Sequence, residues 1–332
     1  MRYDDDDRKS SNVDDRRGRG GGFSFPGFGR GRPGRGVRVP MGGKGGMSLT
    51  SLLIIGGIML LLGINPLEML MGGGGSGGGF NLPEMPKSER QVTRRTTSEI
   101  PGLPGSRREQ GQSTGTDAKD AGAVFVSRVL ADTEDVWNRV FATFNKDYRE
   151  PRLTLFTGSV PTACGQGVSA AGPFYCPADE KIYIDLAFFD ELQRRFKAPG
   201  DFAQAYVIAH EVGHHIQKQL GIADKVQSMK RRMSKKQANA LQVRMELQAD
   251  CLAGVWANIN NQLKNRLEPG DIDEGLNAAS QIGDDMIQRR TQGYVVPDAF
   301  THGSAAQRTR WFKKGYQAGK MQVCDTFGTD DV

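Results

Sequence analysis

The chain has 332 residues, with 44 Lys and Arg against 38 Asp and Glu, a formal net charge of +6 and a pI near 9.1. Much of the basic surplus lies in the first 48 residues, so it says little about a substrate and does not mark a nucleic-acid enzyme. Four cysteines without any Cys-x-x-Cys spacing argue against a structural zinc cluster, and no internal repeat is evident.

Residues 1–48 are rich in Gly, Arg and Asp without periodicity and read as a disordered basic tail. Residues 19–38 interleave Gly, Arg and Phe as RNA-binding tails do. Beside an apolar run, however, a solvated tail touching anionic lipid is the simpler reading, and no nucleic-acid partner is expected. Residues 49–64 are continuously apolar except for Thr50, Ser51 and glycines, and the run continues through Pro66 to Met71. It is close to the minimum for crossing a bilayer and is assigned as a transmembrane signal anchor over 49–70. Arg16, Arg17, Arg19, Arg30, Arg32, Arg35, Arg38 and Lys44 precede it, whereas residues 65–84 hold no Lys or Arg. The positive-inside rule then puts the amino terminus in the cytoplasm and the carboxy-terminal domain outside it. Residues 71–120, rich in Gly, Pro, Ser and Thr, read as a flexible tether, and 121–332 as one folded domain.

Within that domain the apolar spacing predicts helices over 125–145, 188–196, 202–220, 234–259, 274–290 and 304–319, and strands over 153–160 and 181–186. The fold class is therefore α+β, mostly helical with a small sheet, preceded by one transmembrane helix. Ser234 reads as a helix N-cap, and Ser304-Ala305-Ala306-Gln307 as a capping box. The basic residues Lys230, Arg231, Arg232, Lys235 and Lys236 read as a solvated connection.

Three of the four histidines lie in one stretch, His210-Glu211-Val212-Gly213-His214-His215. On a helix, positions i and i+4 share a face, so His210 and His214 can hold one metal ion. Glu211 projects about 100° away from His210, where a general base for an activated water belongs. His215 cannot join that ligand face and reads as a packed histidine. A catalytic zinc site needs a third protein ligand. Glu246 and Asp250 share a face of the 234–259 helix, with Glu246 assigned as that ligand and Asp250 as the carboxylate accepting a ligating histidine's free N–H. A two-histidine, one-carboxylate set can also hold other divalent ions. The four cysteines allow three pairings, of which Cys164–Cys176 and Cys251–Cys324 are expected in an oxidising compartment. The strand over 181–186 is the candidate edge for binding an extended peptide.

His210-Glu211-x-x-His214 followed by Glu246-x-x-x-Asp250 resembles the gluzincin metallopeptidases. The wider pattern resembles the bacterial membrane-anchored neutral zinc metallopeptidases. It is carried by residues 209–217, 246–256 and 301–308, and by the amino-terminal stretch from Ser11 to Gly18. The resemblance implies a zincin-like domain, a Zn2+ cofactor, hydrolysis of protein or peptide substrates and residence in a bacterial inner membrane. It also implies that His302 donates to the oxyanion of the tetrahedral intermediate. The alternative is a catalytically silent zinc scaffold for a membrane or envelope partner. Retention of Glu211, which such a scaffold would not need, argues against it.

Overall fold

Apolar residues at helical spacing along 200–320 need partners for their buried faces, and the computed structural model, which describes residues 1–18 and 114–332, supplies them. In chain order the described elements are β1 (Val13–Asp15), α1 (Thr114–Ala142), β2 (Arg152–Phe156), β3 (Ser159–Thr162), β4 (Gly165–Val168), β5 (Phe174–Cys176) and β6 (Lys181–Asp185). Then follow α2 (Ala187–Arg194), α3 (Asp201–Gln219), α4 (Ile222–Lys230), α5 (Lys235–Lys264), α6 (Asp271–Gln281), α7 (Asp284–Gln292) and α8 (Ala305–Ala318), with short 3-10 turns between some of them. The mostly helical α+β class with a small sheet holds.

Helices α3, α5 and α8 form the centre. Phe202 of α3 stacks on Trp256 of α5 and meets Phe312 of α8 edge-on, with ring centroids 6.3 Å apart in both pairs. Trp256 and Phe312 are fully buried. Such aromatic pairs add about 0.5–1.5 kcal/mol each beyond the area they bury. The close approach of α3 to α5 depends on Gly213, where an added Cβ would lie 3.0 Å from the Ala249 Cα. The Cys251–Cys324 disulfide ties the carboxy-terminal segment to α5, and Cys164–Cys176 ties the β3–β4 hairpin to β5, as the expected pairing has it.

The sheet order is β1-β2-β6-β5, with β1, β2 and β6 parallel and β5 antiparallel to β6. This corrects two expectations. The strand over 181–186 is interior, with Leu153 of β2 on one side of Ile182 and Tyr175 of β5 on the other, so it has no edge left for a peptide. The strand expected over 153–160 is two strands, because Gly158 turns the chain at φ 75° and its N–H bonds the Asp185 carboxylate.

The larger correction concerns the amino terminus. Residues 1–18 are not a disordered tail: β1 pairs with β2 from Val13↔Leu153 to Asp15↔Leu155. The physical reason lies on α1, whose Asp132 and Glu134 are buried carboxylates that require partners. Arg8, Ser10 and Asn12 donate to Glu134, while Tyr3, Lys264 and Arg266 donate to Asp132. The Met1 ammonium meets the Asp201 carboxylate at 2.7 Å, at the start of α3.

Helix α1 begins at Thr114, inside the expected tether, and gives way to a turn that ends in left-handed Asn145. The single helix expected over 274–290 is α6 and α7, broken at Gly283, where a Cβ would lie 2.4 Å from the Ala305 N. Helix α4 was not expected at all. The expected anchor at 49–70, the Arg-Gly stretch at 19–38 and the rest of the tether lie outside the described residues. Among the described residues no helix is long and apolar enough to cross a membrane.

Candidate metal centre

Helix α3 carries His210 and His214 one turn apart with Glu211 next to His210, and α5 carries Glu246 and Asp250 one turn apart. With Gly213 allowing the two helices to touch, one donor atom from each of His210, His214 and Glu246 falls within 4.8 Å of the others. Both imidazole Nε2 atoms point at the same carboxylate oxygen: Glu246 Oε2 lies 3.2 Å from His210 Nε2 and 3.4 Å from His214 Nε2. The three expected ligands are therefore brought together.

The opposite nitrogen of each ring is occupied. His210 Nδ1 lies 2.8 Å from Asp250 Oδ1, and His214 Nδ1 lies 2.9 Å from Gln217 Oε1. An acceptor at Nδ1 keeps the proton there and leaves the Nε2 lone pair for a metal, the arrangement usual around ligating histidines. Two imidazole nitrogens and a carboxylate oxygen match a catalytic zinc donor set, so the residues fit that ion.

Asp250 is fully buried and fully partnered. Besides His210 it accepts from the Tyr206 hydroxyl at 2.6 Å and from Arg308 Nε and a terminal guanidinium nitrogen, each at 2.9 Å. Sequence reasoning missed Arg308, Tyr206 and Gln217 as parts of the site. A signal for Arg308 exists: it stands three and four positions before Trp311 and Phe312, on the buried face of α8. Gln217 is held in turn, its amide donating to the Met245 carbonyl and to Gln248. Gln242 donates to the other Glu246 oxygen at 2.7 Å.

The electrostatics follow from this packing. Burial alone would raise the Asp250 carboxyl, but Arg308 and His210 outweigh it and hold it at about 2. Burial likewise opposes the charge on His210, yet Asp250 and Glu246 lift that ring to about 10. His214 is raised too, against burial, by the Glu246 charge. Glu246 is held well below the carboxylate range, again against burial, by His214 and His210. The carboxylates of Glu246 and Asp250 thus stabilise positive charge on the two rings beside them.

Glu211, 7% exposed, lines a cavity of ≈ 620 Å³ together with His210, His214, Glu246 and His302. Among the described residues its carboxylate makes no hydrogen bond or ion pair. His302 stands on the loop before α8, half exposed, its Nδ1 3.3 Å from Asp284 Oδ1. The other Asp284 oxygen accepts the backbone N–H groups of Thr301, His302 and Gly303, so α7 fixes the loop that carries the histidine. Burial works against the His302 cation, but Asp284 and the Glu246 charge raise it overall.

His215 is packed, as expected. Its Nε2 donates to the Arg149 carbonyl and its Nδ1 accepts from the Tyr175 hydroxyl at 3.0 Å, while burial lowers its pKa. That bond joins α3 to β5, the outer strand on this side of the sheet, whose Phe174 and Tyr175 line the cavity. The cavity's other walls are largely apolar, including Phe188, Phe196, Val207, Val226, Met245 and Ile287.

The sequence model of a family described as "Putative neutral zinc metallopeptidase" matches residues 1–327, which takes in β1 as well as the metal cluster. The uncharacterized protein YpfJ of Escherichia coli (strain K12) is 43% identical over 321 residues, 97% of each chain. An uncharacterized protein of Mycobacterium tuberculosis (strain H37Rv) is 43% identical over 223 residues, 64% of this chain and 74% of its own. No solved structure matches the chain significantly.

Proposed function

This chain belongs to the neutral zinc metallopeptidase family, and from that premise we propose that it is a zinc-dependent endopeptidase hydrolysing internal peptide bonds. One observation carries the reading: His210, His214 and Glu246 converge while the unliganded Glu211 carboxylate faces the same cavity. His210, His214 and Glu246 would hold a divalent ion, which when bound would supply the Lewis acidity that acidifies water and polarises a substrate carbonyl.

Glu211 takes the proton of the attacking water and passes it to the leaving amine. Its carboxylate, without a hydrogen bond or ion pair among the described residues, leaves both oxygens open to a water in the cavity, which supports this role. Asp250, oriented by Arg308 and Tyr206, holds His210 in the tautomer a ligand needs, and Gln217 does the same for His214. His302, positioned by Asp284, donates to the oxygen that becomes negative as the carbonyl is attacked. The substrate backbone lies along β5, because that strand, unlike β6, has an edge unpaired among the described residues and lines the cavity. The apolar walls favour large apolar side chains beside the scissile bond.

Metal analysis of the full chain and of Glu246→Ala tests the ligand set. About one zinc per chain in the unaltered protein and a large loss in the variant is the expected result. Full occupancy in Glu246→Ala would reject the assignment.

A further inference from the structure

The contacts that join residues 1–18 to the rest of the described chain are of a kind that no bilayer can interrupt. β1 is hydrogen-bonded in register to β2, and the Arg16 N–H reaches the Leu155 carbonyl at 2.8 Å. Ser10 exchanges bonds with Ser127 in both directions, through its own N–H and through the Ser127 hydroxyl. Buried Glu134 takes its donors from Arg8, Ser10 and Asn12, and Arg266 pairs with Asp7. Residues 1–18 and 114–332 accordingly form one compact unit.

The sequence between them contains a single run that approaches bilayer length, residues 49–71. A chain that crosses once leaves its flanks on opposite faces, where β1 and β2 could not pair. We infer that residues 1–18 and residues 114–332 occupy the same side of any membrane to which the chain is attached. The positive-inside argument, which separated the two, counted Arg16 and Arg17 as tail residues, whereas they immediately follow β1. The disulfides Cys164–Cys176 and Cys251–Cys324 place that shared side outside the cytoplasm. None of this depends on the peptidase reading.

All four native cysteines are paired, so an added thiol is the one reactive group in the chain. Asp6 and Lys313 are exposed, one on each side of the 19–113 segment. Full-length Asp6→Cys and Lys313→Cys, made in a Gram-negative host and stripped of outer membrane, are treated with a membrane-impermeant maleimide before and after the inner membrane is permeabilised. Lys9→Cys and Gln317→Cys form a second exposed pair, in case an added thiol disturbs folding at the first. Equal labelling of both members before permeabilisation is expected. One member labelled before and the other only afterwards, in both pairs, overturns the inference. Labelling of both only after permeabilisation keeps the shared side and overturns its placement outside the cytoplasm.

Discussion

Arg308→Met removes the guanidinium from a fully buried carboxylate and so tests how the proposed metal ligands are held. The substitution keeps the side-chain volume roughly but deletes two bonds of 2.9 Å to Asp250. Removing one partner of a buried ion pair costs about 3–5 kcal/mol. Asp250 keeps the Tyr206 hydroxyl at 2.6 Å and His210 at 2.8 Å, so the lower end, about 3 kcal/mol, is expected. With a urea dependence of about 3 kcal/mol per molar, this moves the unfolding midpoint down by about 1 M. Zinc affinity should fall about 10- to 100-fold as His210 loses its fixed orientation. The acid limb moves as well. Asp250 is held at about 2 against an ordinary 3.8, so its contribution is present above 3.8 and lost as pH falls through about 2. Without Arg308 the carboxyl titrates higher, and the metal-free variant should lose stability at milder acidity. Urea unfolding across pH 2–7 and competitive zinc titration read these effects. A midpoint within about 0.2 M of the unaltered protein, with unchanged zinc affinity, would refute the clamp.

His302→Ala should lower kcat about 100- to 1000-fold with full zinc retained, as loss of an oxyanion donor does. Asp284→Asn should act through His302: its pKa falls, so the alkaline loss of activity moves to lower pH in a kcat profile. For the disulfides, loop-closure entropy predicts that removing Cys251–Cys324, 73 residues apart, costs about 4 kcal/mol, against about 3 for Cys164–Cys176, 12 apart. Paired Cys→Ala variants compared by urea unfolding give that order, and a reversed order would show that native-state packing dominates.

The convergence of His210, His214 and Glu246 was legible because it rests largely on helical spacing. His210 with His214, and Glu246 with Asp250, need nothing but i and i+4, and the boundaries at Ser234 and Ser304 follow from local capping, present at both sites as Ser-to-Gln capping boxes. What failed was whatever depends on partners distant in sequence. Val13-Asp14-Asp15 has no strand signature of its own and is a strand because β2 offers it an edge and α1 offers buried carboxylates to its neighbours. The break between α6 and α7 follows from the approach of Ala305 to Gly283, which no local pattern announces. Likewise, β6 alternates as an edge strand would, yet β5 covers it. The resemblance of residues 11–18 to a family start did carry a hint that this stretch is structured, and composition obscured it.

The most direct test of the central claim compares the full chain with Glu211→Gln for zinc content and for cleavage of an unstructured protein such as casein. The full chain is required because β1 belongs to the sheet. The account predicts about one zinc per chain in both proteins, and cleavage reduced about 100- to 10,000-fold in the variant. Equal cleavage by both proteins, or an unaltered chain that takes up no zinc, would contradict it.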